Sequence, residues 1–299
     1  HVINLSLREL GLRSDDLEII NGELARPNGM VLNTGPTGSG KTSTLYAFLK
    51  AKANSEIKII TVEDPIEYHL PGIEQTQVDE EAGYTFANGL RSIMRQDPDA
   101  ILVGEVRDRD TAEIAVQAAL TGHLVFSTVH ANEAAGAIPR LIDLGVKHQS
   151  IGPALNLVIG QRLVRRLCQK CRVPREVTAE AKNSIGEFLK RLPERVARGE
   201  FENPKLFSPK GCPACSGTGY KGRVAVFELL LTKSGAGTAG KKESFEDLLG
   251  RGAGAAAIAA FAEAQGMVTM QQDGVLKAIL GVTTLEEVEE ATGSIGWLK

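Results

Sequence analysis

An α/β fold with a mainly parallel sheet is predicted, because short β-branched apolar runs alternate with helical stretches through the first half of the chain. Four runs have strand length: Met30 to Leu32, Ile57 to Val62, Ala100 to Val103, and Leu124 to Val129. Helical stretches separate them, among them Lys41 to Ala53 and Thr111 to Leu120, the latter with Asp110 and Glu113 at capping spacing. Such alternation implies a sheet covered by helices on both faces.

Upstream of these strands, the chain reads as short helices. Ser6 and Glu9 have capping-box spacing, Leu5 and Leu10 are placed to staple across it, and Gly11 stops the turn. A second helix is expected after Ser14. Past Gln161 the character changes. A basic stretch, Arg162 to Arg166, leads into a first cysteine pair, a polar segment follows, and a second pair closes it. Gly222 to Leu231 reads as one more strand, and Lys233 to Gly240, rich in Gly, Ser and Thr, as a mobile loop. The remainder to Thr292 looks helical, with Thr284 and Glu287 capping the last helix. The expected division is 1–164 for an α/β core, 165–221 for a four-cysteine subdomain, and 222–299 for the last core strand and a helical C-terminal region.

Composition narrows the function classes. The chain has 299 residues, 42% of them hydrophobic, and a formal net charge of −3. That suits a globular protein of about two domains. The slight acidity counts against nucleic acid as an obligatory partner, since phosphate binding rests on clustered Lys and Arg. No run approaches the ~20 apolar residues of a membrane span. The most uniformly apolar stretch, Ala255 to Ala262, is short and Ala-rich and is expected to form a buried helix. The chain opens at His1 without a basic, apolar, cleavable leader, and reads as part of a longer protein with an upstream domain.

The most specific chemical signal is Gly35-Pro36-Thr37-Gly38-Ser39-Gly40-Lys41-Thr42, which fits G-x-x-x-x-G-K-[ST] in full. It follows an expected strand and opens an expected helix. The glycines let backbone N–H groups turn inward around phosphate oxygens, and the helix adds its positive N-terminal dipole. Lys41 is expected to reach the β- and γ-phosphates, the Thr42 hydroxyl to ligate Mg²⁺, and Ser43 to complete the nucleotide-binding stretch.

Hydrolysis also needs carboxylates that hold Mg²⁺ and orient water. Glu105 ends the apolar run Ile101-Leu102-Val103-Gly104, at the sheet edge where α/β ligands bind. Asp99, before that run, lies at the other edge and reads as structural. A second acidic cluster, Glu63, Asp64 and Glu67, follows the run ending at Val62; its alternative reading is an ordinary acidic loop. His123 and His130 flank the fourth strand, and His130 falls on the nucleotide edge, where it can sense a phosphate.

The four cysteines form two C-x-x-C pairs, Cys168/Cys171 and Cys212/Cys215. Four thiolates suit a closed, structural Zn²⁺ site, whose binding contributes on the order of 10 kcal/mol to ordering the loop it closes. Redox pairs or free thiols are the alternatives.

Four stretches in order resemble the secretion ATPases of type II secretion and type IV pili: Gly35 to Tyr46 their P-loop, Thr61 to Tyr68 their aspartate box, Arg95 to Asp108 their Walker B region, and Thr121 to Asn132 their histidine box. Gln161 to Cys168 and Gly211 to Arg223 are similar to the metal-binding insertion of the assembly and secretion members, which retraction ATPases generally lack. The resemblance runs from about Leu5 to Leu231, fades over Thr232 to Phe261, and resumes from Gly266 to Thr292.

It implies a RecA-like P-loop NTPase core with a zinc-binding insertion and a helical C-terminal region. It further implies a homo-hexameric, ATP-hydrolysing motor for pilus or pseudopilus assembly, using ATP, Mg²⁺ and structural Zn²⁺. Glu63, Asp64 and Glu67 then correspond to the aspartate box, Glu105 to the Walker B carboxylate, and His123 and His130 to the histidine box. Either Glu63 or Glu105 polarises the attacking water. Arg91, Arg95 and Arg107 are candidates for γ-phosphate or interface contacts, or are simply solvated. The family's arginine fingers lie mainly in the upstream domain, which the resemblance implies docks a membrane-anchored adaptor. By the same resemblance, the motor is expected to act on an inner-membrane platform protein, from the cytoplasmic side of the membrane. A RecA-like nucleic-acid translocase and a non-hydrolysing nucleotide-dependent scaffold are the competing readings.

Overall fold

The computed structural model describes residues 6–233 and 243–296. The chain runs through α1 (Ser14–Leu24), β1 (Gly29–Thr34), α2 (Lys41–Lys52), β2 (Ile59–Glu63), β3 (Glu74–Gln77), α3 (Phe86–Met94), β4 (Ala100–Val103), α4 (Arg109–Leu120) and β5 (Leu124–Val129). Two short helices, α5 (Ala137–Asp143) and α6 (His148–Ala154), lead into the long strand β6 (Leu155–Leu167). Then come β7 (Val173–Pro174), α7 (Ala179–Arg191), β8 (Phe207–Ser208) and β9 (Tyr220–Leu231). Helices α8 (Phe245–Gly250), α9 (Ala255–Ala264), α10 (Met270–Ile279) and α11 (Leu285–Thr292) follow.

The main sheet has the order β3-β2-β4-β5-β1-β6-β9. It is parallel from β3 to β6, and β9 is antiparallel to β6 at one edge. The expected α/β architecture is therefore present. Every residue of β1, β2, β4 and β5 is buried, which fits strands covered on both faces. Alternate residues serve opposite cores: Met30 and Leu32 pack with Leu90, Ala115 and Ile151, while Val31 packs with Leu45, Phe48 and Leu49 of α2. A third core joins Phe188 and Leu189 of α7 to Val275, Ile279 and Val288 of α10 and α11.

The differences from expectation have local causes. Strand β3 is a polar, partly exposed edge strand, Glu-Gln-Thr-Gln, with no apolar signal to read. Strand β6 runs unbroken over thirteen residues and carries Arg162 and Arg165 within it, so the expected boundary at 164/165 falls inside it. The cap of α4 is Asp108 rather than Asp110. Its backbone is extended, and its carboxylate accepts the Thr111 N–H at 2.8 Å and the Thr111 hydroxyl at 2.9 Å. Helix α9 buries only Ile258 and Ala262, so the Ala-rich stretch is a surface helix rather than a buried one. Its small side chains lower the area any face can bury. Ser6 and Glu9 do form their reciprocal bonds, at 2.7 and 3.4 Å, but hold only a turn, which Gly11 ends at φ +93°. Leu5, and residues 234–240 of the expected loop, lie outside the described residues. Thr284 caps α11 as expected, accepting the Glu287 N–H at 3.3 Å.

A buried ionic cluster ties the start of α1 to the C-terminal helices. Arg13 donates to Asp15 at 3.0 Å, Asp16 at 2.7 Å and Asp273 at 2.6 Å. Lys277 pairs with Asp273, and Arg195, just after α7, pairs with Asp15 and Asp16. Three cations face three carboxylates, which offsets the cost of withdrawing each from water. No helix among the described residues is long and apolar enough to cross a membrane.

Candidate nucleotide site and cysteine cluster

Parallel register brings the predicted motifs to one edge. Thr34 lies level with Val129, Ser127 with Val103, and Val103 with Val62. The residues that follow or end these strands, Gly35, Glu63, Glu105 and His130, therefore gather at their C-terminal ends. Ligands of open α/β sheets bind at this edge.

The loop from Gly35 to Gly40 is shaped by its glycines and by β6. Gly35 (φ +151°) and Gly40 (φ +88°) take backbone conformations that side chains disfavour. A Cβ at Gly35 would also stand 2.3 Å from the Gln161 carbonyl oxygen. Gln161, only 1% exposed, bridges the two flanks of the loop: its amide donates to the Ser39 carbonyl at 2.8 Å and accepts from Asn33 at 2.9 Å. No local pattern marks Gln161 for this role, because its partners lie over a hundred residues away in the chain.

Pro36, Thr37 and Gly38 are exposed, while Ser39 is buried, its hydroxyl without a hydrogen-bond partner among the described residues. Lys41 donates to the Gly35 and Pro36 carbonyls at 2.9 and 3.1 Å. Burial lowers its pKa, and the nearby Glu105 carboxylate opposes that shift. Thr42 is exposed in the first turn of α2, with Ser43 half-buried behind it.

The two candidate carboxylates have different surroundings. Glu63 is 3% exposed and accepts from three donors: the Tyr46 hydroxyl of α2, the Thr61 hydroxyl at 2.5 Å, and the Gln75 amide of the β3 edge at 3.1 Å. Burial, then the bond to Glu63, raises the Tyr46 phenol. Glu105 is 32% exposed, and its Oε1 stands 3.2 Å from His130 Nε2. In the sequence Tyr46 only ends the P-loop stretch; its bond to Glu63 is a tertiary contact that no local pattern reveals.

The other predicted residues divide by position. Arg107 reaches Glu80 at 2.5 Å and Asp64 at 3.9 Å, beside the acidic loop. Arg91 is exposed on α3, bonded to Asn88 at 3.0 Å, and Glu67 is exposed. Arg95 caps the C-terminal end of α3, and its guanidinium reaches Ser92. His123 immediately precedes β5, its ring nitrogen 3.1 Å from the Ala118 carbonyl. Arg95 and His123 thus lie toward the N-terminal ends of the strands, away from the loop. Asp99 also lies there, accepting the Lys58 N–H at 2.7 Å.

At the far end of the β6–β9 pair, the four cysteine sulfurs lie within 4.8 Å of one another. Sulfur separations are 3.9 Å for Cys168–Cys212 and 3.7 Å for both Cys171–Cys215 and Cys212–Cys215. Four thiolates tetrahedral around Zn²⁺ at about 2.3 Å stand about 3.8 Å apart. The cluster can hold a metal ion with little rearrangement. Burial would raise the Cys215 thiol, but the Cys212 and Gly219 N–H groups and neighbouring thiols hold it down to about 6.

Residues 1–290 match the family model described as Type II/IV secretion system protein. Type II secretion system protein E of Pectobacterium carotovorum is 45% identical over 97% of this chain and 54% of its own length. The type IV pilus assembly ATPase PilB of Thermus thermophilus is 44% identical over 94% of this chain and 30% of its own length. The chain therefore spans about half the length of these relatives, or less. Among solved structures, the pilus retraction motor PilT with bound ADP aligns with a TM-score of 0.68 at 28% identity, covering 99% of this chain and 69% of that one. With Gly35, Glu63, Glu105 and His130 gathered on one edge of the sheet and its match almost end to end, the chain belongs to the type II/IV secretion system protein family.

Proposed function

We propose that this chain is the ATP-hydrolysing motor of a homo-hexameric ring that drives assembly of a type IV pilus or of a type II secretion pseudopilus. The observation that carries the reading is the meeting of Lys41, Glu63, Glu105 and His130 on the ends of four neighbouring parallel strands and the loop between them. In this reading the loop from Gly35 to Thr42, with Ser43, cradles the ATP phosphates, and Lys41 exchanges loop carbonyls for phosphate oxygens. Thr42 and Glu105 would hold Mg²⁺, which supplies charge neutralisation of the phosphates.

Glu105, oriented by His130, is favoured over Glu63 for aligning the attacking water. The Glu63 oxygens are already occupied by three donors, whereas Glu105 faces solvent. Glu63 instead braces α2 through Tyr46. Arg107, Arg91, Asp64 and Glu67 lie exposed where a neighbouring subunit completes the open site; Arg95 and His123 take no part in the chemistry of their own chain. The cysteine cluster holds structural Zn²⁺. The relatives' names favour assembly over retraction, with an inner-membrane platform protein as the driven partner and an upstream domain docking a membrane-anchored adaptor. Nucleic acid is not required, and the ring works at the cytoplasmic face of the inner membrane. The chain divides into 1–164, 165–221 and 222–299, with β6 and β9 crossing the two boundaries as the shared connection.

The test is Mg-ATP turnover per subunit of the full-length protein, measured against protein concentration with Glu105→Gln as control. Turnover that rises with concentration and vanishes in the variant supports sites completed between subunits. ATP binding without turnover at any concentration overturns the motor reading.

A further inference from the structure

Glu228 is a carboxylate inside the protein that the chemistry above does not use. It lies on β9 opposite Gly160 of β6 and is 6% exposed. One oxygen accepts the Ala134 N–H at 2.6 Å, and the other accepts the Met270 N–H at 3.2 Å. Ala134 sits four residues after His130, and Met270 is the first residue of α10. Gly160 makes the approach possible, since a Cβ there would stand 2.6 Å from the Glu228 carboxylate.

The loop from His130 to Ala134 has two further anchors. Thr34, at the end of β1, donates its hydroxyl to the Ala131 carbonyl and accepts the Ala131 N–H, both at 2.9 Å. Arg162 on β6 reaches the Asn132 carbonyl at 3.3 Å. Glu228 is the anchor that joins burial to an ionisable side chain. Burial pushes its carboxyl up; the two amides, and Arg162 at longer range, pull it back, while Glu133 adds to the rise. A carboxylate is an expensive group to bury for packing alone. Two backbone amides, one at a helix N-terminus, are what an ionised acceptor bonds most strongly.

We propose that Glu228 is a positioning residue: it fixes the loop that carries His130 against Glu105, and its second oxygen ties that loop to α10. The C-terminal helices are thereby joined to the hydrolytic edge through one side chain. This rests on the reading of Glu105 and His130 as hydrolytic residues.

The experiment compares Glu228→Gln, His130→Ala, the double variant and Glu105→Gln in the full-length assembled protein. Gln keeps the shape of Glu but directs an N–H₂ at one of the two amides. Turnover should fall about ten- to a hundredfold in Glu228→Gln, the scale of a misplaced catalytic group, with ADP affinity and hexamer content unchanged. In the His130→Ala background the same change should add almost nothing, because the two act through one loop. Gly160→Ala, which displaces Glu228 while leaving it in the sequence, should reproduce the loss if Glu228→Gln assembles poorly. Normal turnover in both Glu228→Gln and Gly160→Ala, or losses that multiply in the double variant, would overturn the proposal. Full turnover in Glu105→Gln would instead overturn the hydrolytic reading beneath it.

Discussion

His130 Nε2 stands 3.2 Å from Glu105 Oε1, across the ends of the adjacent strands β4 and β5. Both groups are partly solvent-facing, so the pair can engage a water molecule while staying in mutual contact. Glu105→Gln removes the anionic acceptor but keeps its volume. Turnover is expected to fall by about 10²-fold or more while ATP is retained, and His130→Ala to cost less. Single-turnover hydrolysis and filter-binding of labelled ATP read the two effects separately. Undiminished hydrolysis in Glu105→Gln would move the essential carboxylate elsewhere.

Glu63 leads to the opposite kind of expectation. Tyr46→Phe deletes one of the three donors to a carboxylate that is 3% exposed and leaves that oxygen without its partner. The cost should be about 1–3 kcal/mol of stability, visible as a lower urea midpoint. Turnover per folded subunit should change far less than in Glu105→Gln. Lost turnover with an unchanged midpoint would put Glu63 in the chemistry after all.

Gly35→Ala tests how β6 shapes the phosphate loop. The added Cβ meets the Gln161 carbonyl at 2.3 Å, and that oxygen belongs to the backbone of β6, a strand paired on both sides. Since the strand cannot yield cheaply, the loop must. Nucleotide affinity should drop at least as far as in Lys41→Ala, measured by fluorescence of a labelled ADP. Retained affinity would mean that the loop can adopt its working shape without the left-handed φ of Gly35.

The sequence revealed whatever depends on neighbours along the chain. The places of the glycine-rich loop and the paired cysteines were legible from spacing, that of Glu105 from the apolar run before it, and β1, β4 and β5 because each carries a short apolar run. Strand β3 was not, since a polar edge strand makes its bonds through the backbone and needs no apolar residue. The roles of Gln161, Tyr46 and Glu228 were hidden for a related reason. Each gains meaning from a partner brought near by sheet order: Gln161 meets Ser39 only because β6 lies beside β1. The Asp108 cap went to Asp110 because two acidic residues compete over one helix start, and backbone conformation decides between them.

The cysteine cluster predicts one zinc per chain by elemental analysis. Cys212→Ser should lower that occupancy and disorder residues around both knuckles, since Cys212 lies within 3.9 Å of Cys168 and 3.7 Å of Cys215. Removal of a ligand from such a site forfeits a sizeable part of the on the order of 10 kcal/mol that metal binding gives to folding. Hydrogen exchange should rise in β7, α7 and β8 while the phosphate loop stays protected. A metal-free protein with full protection there would remove the metal assignment.

Asp16 gives the pH prediction. It is 1% exposed, and burial raises its pKa from 3.8 to about 6, against the pull of Arg13; Asp273 and Asp15 add to the rise. Between those two values the folded state holds a proton that the unfolded state has released. Stability from this group is therefore greatest at low pH and declines as pH rises from about 4 to about 6. The full difference is up to about 3 kcal/mol, taking 1.36 kcal/mol per pKa unit. Other carboxylates tilt the overall profile, so the measurement is the difference between the wild-type chain and Asp16→Asn, by urea unfolding at several pH values. Asn carries no titrating proton, so wild-type stability relative to the variant should fall across that window and level off above it. A difference that rises with pH would mean that the pairing of Asp16 with Arg13 and Arg195 outweighs its burial.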